Sequence, residues 1–157
     1  MYQHIMVPLD GSEVAECVLP HVIAVSSGCE IGEVTLIRIC EPLHLFGGIE
    51  SRFSPEERQR LEDDDKKLSG EYLEQVTQRL KESGIIAETV VLQGNIIDKL
   101  IDYEANNDVD LTVIATHGRS GVKRMVMGSV ADRFLHSSNV PVLIVRAPGL
   151  QKVSSNE

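Results

Sequence analysis

Four stretches of this chain are apolar almost without interruption: His4 to Leu9 (HIMVPL), Glu33 to Cys40 (EVTLIRIC), Asp110 to Thr116 (DLTVIAT) and Pro141 to Arg146 (PVLIVR). A strand with one wet face alternates apolar and polar residues, so runs like these belong to strands covered on both faces. Parallel neighbours need crossover connections that lay helices on the sheet. The runs therefore point to an α/β chain, a mainly parallel sheet with helices on both faces. A further strand is read at Ala87 to Gln93 (AETVVLQ), making five.

The segments between the strands carry helix signals. Asp10-Gly11-Ser12 reads as a turn and cap, followed by a helix with Val14, Val18 and Val22 on one side and Leu19 and Ile23 beside them. Pro20 is expected to kink that helix and Ser27-Gly28 to end it. "EPLHLFGGIESRF" lacks a helical period and reads as a flexible loop. Ser54-Pro55-Glu56-Glu57 is a strong helix start, and Leu61, Leu68, Tyr72, Val76 and Leu80 form one apolar stripe that Gly84 terminates. The acidic run Glu62 to Asp65 lies mostly off the stripe and reads as a solvated face. Asn95 to Asn106, with Ile97, Leu100 and Ile101 inward, and Ser129 to Ser138 complete the helices.

With 157 residues and no internal repeat, one domain is expected over residues 1–147, followed by a flexible tail over 148–157. The formal net charge of -9 argues against a general nucleic-acid or anionic-membrane binder, both of which need broad positive surface. Cys17, Cys29 and Cys40 have no metal-type spacing and suggest no disulfide framework. No segment is apolar over the ~18 residues of a membrane span, and a signal-peptide pattern is absent; a soluble cytoplasmic protein is the expectation.

Against this acidic background, "ATHGRSGVKRMVMGSV" (Ala115 to Val130) holds three glycines, three cations and no carboxylate. It leads into a helix N-terminus, where unpaired backbone N–H groups and the helix dipole favour an anion. Gly118, Gly121 and Gly128 permit close backbone approach to a phosphate, and Ser129 can cap the helix and bond an oxygen. Arg119, Lys123 and Arg124 add charge. Right-handed crossovers leave two common strand orders, 3-2-1-4-5 and 2-1-3-4-5. In the first, the order reverses between strands 1 and 4, bringing Asp10 and the glycine loop to two walls of one crevice.

Neither G-x-x-x-x-G-K-[ST] nor G-x-G-x-x-G occurs, which disfavours P-loop and ordinary dinucleotide enzymes. From "HIMVPLDGSE" to "NVPVLIVR" the chain instead resembles the universal stress protein family, whose ATP-binding members carry G-x2-G-x9-G-[ST] after the fourth strand. Ala115 stands at the first glycine, followed by Gly118 and Gly128-Ser129 at the family spacing. The resemblance implies the 3-2-1-4-5 order, Rossmann-like and similar to adenine nucleotide alpha hydrolases, and a bound ATP, ADP or AMP. Carried over by position, Pro8, Leu9 and Asp10 flank the adenosine, with Asp10 reaching the ribose or a nucleotide-bound magnesium. Ile39 contacts adenine through its backbone. Thr116, His117 and Gly118 approach the ribose and phosphates, and Gly128, Ser129 and Val130 cradle the phosphates. Arg119 and Gly121 are added on local chemistry alone.

Competing readings are weaker. "LDGS" is similar to an aspartate-nucleophile phosphatase, but Pro8 occupies the position two before Asp10 where D-x-D chemistry would pair a second carboxylate. A receiver-type phosphorylation site lacks its acid after strand 3, where Gln93-Gly94 stands, and its lysine after strand 5, where Arg146 stands. A nucleotide-free partner-binding module and a slow ATPase remain the alternatives to a nucleotide-binding regulator. His4, His21, His44 and His136 show no ligand spacing, and Met125 and Met127 read as plugging the crevice or packing under the loop. In the 3-2-1-4-5 order Pro141 to Arg146 is an edge strand with no blocking charge inside it, so a homodimer through that strand is expected.

Overall fold

The computed structural model describes residues 2–29, 31–42, 53–116 and 129–147. Five strands are β1 (His4–Pro8), β2 (Glu33–Cys40), β3 (Ala87–Gln93), β4 (Leu111–Thr116) and β5 (Val142–Arg146). Five helices are α1 (Glu13–Glu16), α2 (Leu19–Cys29), α3 (Pro55–Glu82), α4 (Ile96–Asn106) and α5 (Ser129–Ser137). All pairings are parallel and the sheet order is β3-β2-β1-β4-β5, as the resemblance implied.

Two cores follow from strand alternation. Ile5, Val7, Val34 and Leu36 face Val18, Val22, Leu73, Val76 and Leu80 on the side of α2 and α3. Met6, Ile37 and Ile114 face Ile97, Leu100, Ala131 and Phe134 on the side of α4 and α5. Because β1 feeds both cores, Ile5, Met6 and Val7 are fully buried. That is the physical meaning of its unbroken apolar run.

Local signals set most element ends. Ser54 and Glu57 make a reciprocal capping box, with Ser54 N–H donating to Glu57 Oε2 at 2.8 Å and Glu57 N–H to Ser54 Oγ at 3.1 Å. Asn95 accepts from the amides of Ile97 and Asp98 to start α4. Gly84, at φ +80, takes the left-handed conformation that ends α3.

Two expectations are corrected. The first helix is broken rather than kinked at Pro20: α1 stops at Glu16 and α2 restarts at Leu19. A proline ring clashes with the carbonyl four residues back, here Glu16, whereas in the first turn of a new helix it lacks only an amide that would be unpaired anyway. The stripe on α3 is buried only in its second half. Val76 and Leu80 are covered, while Leu61 and Leu68 are 44% and 62% exposed. A helix of 28 residues runs about 42 Å at 1.5 Å per residue. The eight residues of β2 cover only about 26 Å. The first turns of α3 therefore overhang the carboxyl end of the sheet.

The amino end is closed by buried His4, whose Nδ1 donates to the Asn107 carbonyl at 2.8 Å while Nε2 lies 2.8 Å from Thr35 Oγ1. Asp110 there accepts the amides of Gln3 and His4. Cys17, Cys29 and Cys40 are all free thiols. Burial pushes Cys17 and Cys40 above the ordinary thiol range, which lowers their reactivity.

Glu104 of α4 is buried and ties that helix to the α5–β5 connection. Ser138 Oγ lies 2.5 Å from Glu104 Oε1 and 3.1 Å from the Val140 carbonyl. The Ser138 hydroxyl donates toward Glu104 and accepts the Val140 amide at 3.2 Å. Burial pushes this carboxyl above its ordinary 4.5, opposed in smaller measure by the Ser138 hydroxyl and the Val140 amide. The folded chain thus holds this proton to higher pH than the unfolded chain. The stabilisation is complete below the unfolded pKa and lost as pH rises through the folded one. Glu104→Gln keeps an oxygen that accepts from Ser138 and removes the titration. In thermal melts from about pH 4 to pH 8, wild type should lose stability relative to this variant as pH rises; parallel curves would contradict the assignment.

Candidate functional site

The site begins with a missing hydrogen. β1 pairs with β2 over its whole length, from His4↔Glu33 to Pro8↔Ile37, but with β4 only at Ile5↔Leu111 and Met6↔Thr112. Successive amides of a strand point to opposite neighbours. Leu9 N–H donates to the Ile37 carbonyl of β2 at 2.9 Å, so the backbone nitrogen of Pro8 faces β4. Proline has no proton to give there, and the ladder cannot continue. β1 and β4 part at the carboxyl end of the sheet, at the reversal of strand order where open α/β sheets place ligands.

A cavity of about 230 Å³ fills the parting. Of the residues expected at the site, Pro8, Leu9, Asp10, Ile39, Ala115 and Val130 line it. Ala15, Ile37, Ile96, Leu100, Ile114 and Ala131 also line it. Sequence reading missed these six as site residues because they carry no chemistry beyond being apolar; their only signal was core periodicity. The cavity is below the ~300–1,000 Å³ of whole-ligand pockets, which suits it to one ring system.

Asp10 is the one charged side chain among the described residues lining it, and its local bonds explain how it is held. Oδ1 accepts the Ser12 amide at 2.9 Å and the Ser12 hydroxyl at 2.6 Å, while Ser12 Oγ accepts the Ala15 amide to cap α1. Oδ2 takes no bond among the described residues. Turn stabiliser and ligand contact are therefore compatible roles, one for each oxygen. Gly11 is required between them: φ is +86, and a Cβ would stand 2.5 Å from Arg38 Nη1.

Arg38 is the charged exception inside the β2 run, and sequence analysis assigned it no role. Its guanidinium lies 3.7 Å from Asp65 Oδ1 and 5.8 Å from the centroid of the Tyr72 ring. Tyr72 is itself pushed well above the ordinary phenol range by burial, then by the charges of Glu16 and Asp10. Around Arg38 lies a second cavity of about 360 Å³, lined also by Asp10, Glu41, Leu61, Glu62 and Asp65. It shares Asp10, Ile39 and Ile96 with the first, and the overhang of α3 supplies its outer wall. Within the acidic run, Asp63 and Asp64 are exposed as expected, while Glu62 and Asp65 are half-buried at this wall.

Thr116 is 5% exposed at the end of β4 and does not line the first cavity; its hydroxyl oxygen has no partner among the described residues. Ser129 opens α5. His117, Gly118, Arg119, Gly121 and Gly128 lie outside the described residues. No cluster of three metal-ligating side chains occurs among the described residues, so a magnesium at Asp10 would need oxygens from a nucleotide. Among those residues no helix is long and apolar enough to cross a membrane.

Residues 1–146 match the model of the universal stress protein family. Universal stress protein MJ0577 of Methanocaldococcus jannaschii is a structural neighbour at 24% identity and a TM-score of 0.78, covering 94% of this chain and 98% of that one. A family protein from Arabidopsis thaliana with AMP bound aligns at 16% identity and a TM-score of 0.67 over 98% of this chain and 97% of that one. A universal stress protein in complex with cAMP aligns at 18% identity and a TM-score of 0.63 over 92% and 97%. At these identities the structures establish the fold.

The role of Pro8 is open to a direct check. Pro8→Val supplies a donor facing β4, and the ladder should lengthen into the parting. The amide introduced there should exchange roughly tenfold slower than an open loop amide; exchange at the loop rate would mean that something else holds the strands apart.

Proposed function

This chain belongs to the universal stress protein family, and from that premise we propose that it is an adenine-nucleotide-binding regulator rather than an enzyme. The observation that carries the reading is the apolar parting of β1 and β4 with the Asp10 carboxylate at its rim. An adenine ring suits the surface made by Pro8, Leu9, Ile39, Ala115 and Val130, because a flat heterocycle gains from apolar cover and needs few directed bonds. The backbone of Ile39 contacts its edge. Asp10 Oδ2 accepts from ribose hydroxyls, or approaches a magnesium carried by the nucleotide. Thr116, His117, Gly118, Arg119 and Gly121 reach toward the phosphates, and Gly128, Ser129 and Val130 at the mouth of α5 cradle them. The AMP and cAMP complexes of the structural neighbours agree with this class of ligand.

Regulation follows from where the ligand sits. A nucleotide spanning β1, β4 and the α5 mouth joins elements that the sheet leaves parted, so it stabilises one arrangement by its differential affinity for it. β5 is the sheet edge beside β4, and its pairing with a second copy through Val142 to Arg146, extended by Pro141, gives the proposed homodimer.

Binding is tested with purified protein and ATP, ADP or AMP, with and without magnesium. At a ligand concentration near 100 times Kd, the folded state gains about 2.7 kcal/mol, a readily measured rise in melting temperature. Gly128→Asp should abolish that rise while leaving the unliganded melt near that of wild type. No rise for any adenine nucleotide would refute the reading. Sedimentation of the same samples should give a dimer at micromolar concentration, and a monomer would refute pairing through β5.

A further inference from the structure

The acidic cavity beside Asp10 bears on which nucleotide the site accepts. The two cavities meet along Asp10, Ile39 and Ile96, and of these Asp10 alone has a side chain that can accept a hydrogen bond. A base resting on the apolar side brings its ribose to that seam, with the sugar hydroxyls toward Asp10 and the second cavity beyond. Among the described residues there stand Asp10, Glu41 and Asp65 beside the guanidinium of Arg38, with Glu62 accepting from Gln93 Nε2 at 2.8 Å. Arg38 is already engaged by Asp65 at 3.7 Å, by the Tyr72 ring and by close packing on Gly11. Its side chain is 23% exposed, so it is not a free cation awaiting an anion.

We propose that Asp65, Glu41 and Arg38, acting with Asp10, make this site selective for adenine nucleotides with free 2′- and 3′-hydroxyls, and discriminate against those carrying phosphate on that edge. The inference rests on the nucleotide reading above and adds a sign to it. A ribose diol donates two hydrogen bonds, which carboxylates accept. A 3′-phosphate donates none at neutral pH and brings negative charge beside carboxylates in a partly enclosed space, where repulsion is stronger than in bulk water. The acidic wall depends on the overhang of α3, since Leu61, Glu62 and Asp65 all lie in its first turns. The cyclic phosphate of 3′,5′-cyclic AMP places an esterified, charged group on the same edge and falls in the disfavoured class.

The test is calorimetric binding of AMP, 3′,5′-cyclic AMP and adenosine 3′,5′-bisphosphate at fixed ionic strength. Wild type should bind AMP at least about tenfold more tightly than either 3′-esterified ligand, with the ratio shrinking as salt is raised. Asp65→Asn releases Arg38 and removes one carboxylate, and Glu41→Gln removes another without touching that ion pair. Each should narrow the ratio by about threefold or more. Equal affinities in wild type, or a ratio unmoved by both substitutions, would overturn the selectivity while leaving nucleotide binding intact. Failure of all three ligands to bind would overturn the nucleotide reading itself, and the two failures are thereby distinguishable.

Discussion

One absent amide proton organises the carboxyl end of this sheet. Pro8 stands in the central strand, hydrogen-bonded neighbours on both sides, at the position whose nitrogen faces β4. Any other residue there would offer a donor. A central strand is a place where proline is ordinarily excluded, because a missing ladder bond in the core has no water to replace it. Here the ladder has ended, and the space beyond is a cavity instead of a paired strand. The cost of the missing bond and the existence of the cavity have the same cause.

Around that parting, charge is used to hold shape. The Asp10–Ser12 turn is fixed by bonds to a single carboxylate oxygen, and Gly11 lets the Arg38 guanidinium approach more closely than a side chain would permit. A partly exposed pair such as Arg38–Asp65 contributes little to stability by itself. Its consequence is positional: among the described residues it holds the guanidinium of the second cavity beside Asp65. The protein is acidic overall, and the surroundings of Asp10 share that sign, while the glycine loop of residues 117–128 carries cations without acids. In the proposed complex, the sugar and phosphate ends of one nucleotide meet opposite electrostatic surroundings.

The architecture was legible because its signals are local. Unbroken apolar runs mark strands covered on both faces, and Ser54-Pro55-Glu57 and Asn95 announce helix starts that their side chains then make. Pro20 was misread because a proline within an apolar period allows either a kink or a restart, and only the packing of Val18 and Val22 decides. The α3 stripe was misread because periodicity records which side is apolar, not how far the sheet beneath it extends. Pro8, Leu9, Asp10, Ile39, Ala115 and Val130 line one cavity at the reversal of strand order. Arg38 and the second cavity were invisible because they depend on the close approach of Gly11, Tyr72 and Asp65, which are distant in sequence.

In the proposed complex the parted strands receive the base and sugar of an adenine nucleotide. Backbone amide NMR during titration with AMP tests this at residue resolution. Binding there should give saturable shifts at Leu9, Asp10, Ile39, Ala115, Thr116 and Val130, with Gln3, Asn107 and Asp110 at the opposite end of the sheet unmoved. Shifts confined to that opposite end, or none at saturating ligand, would contradict it.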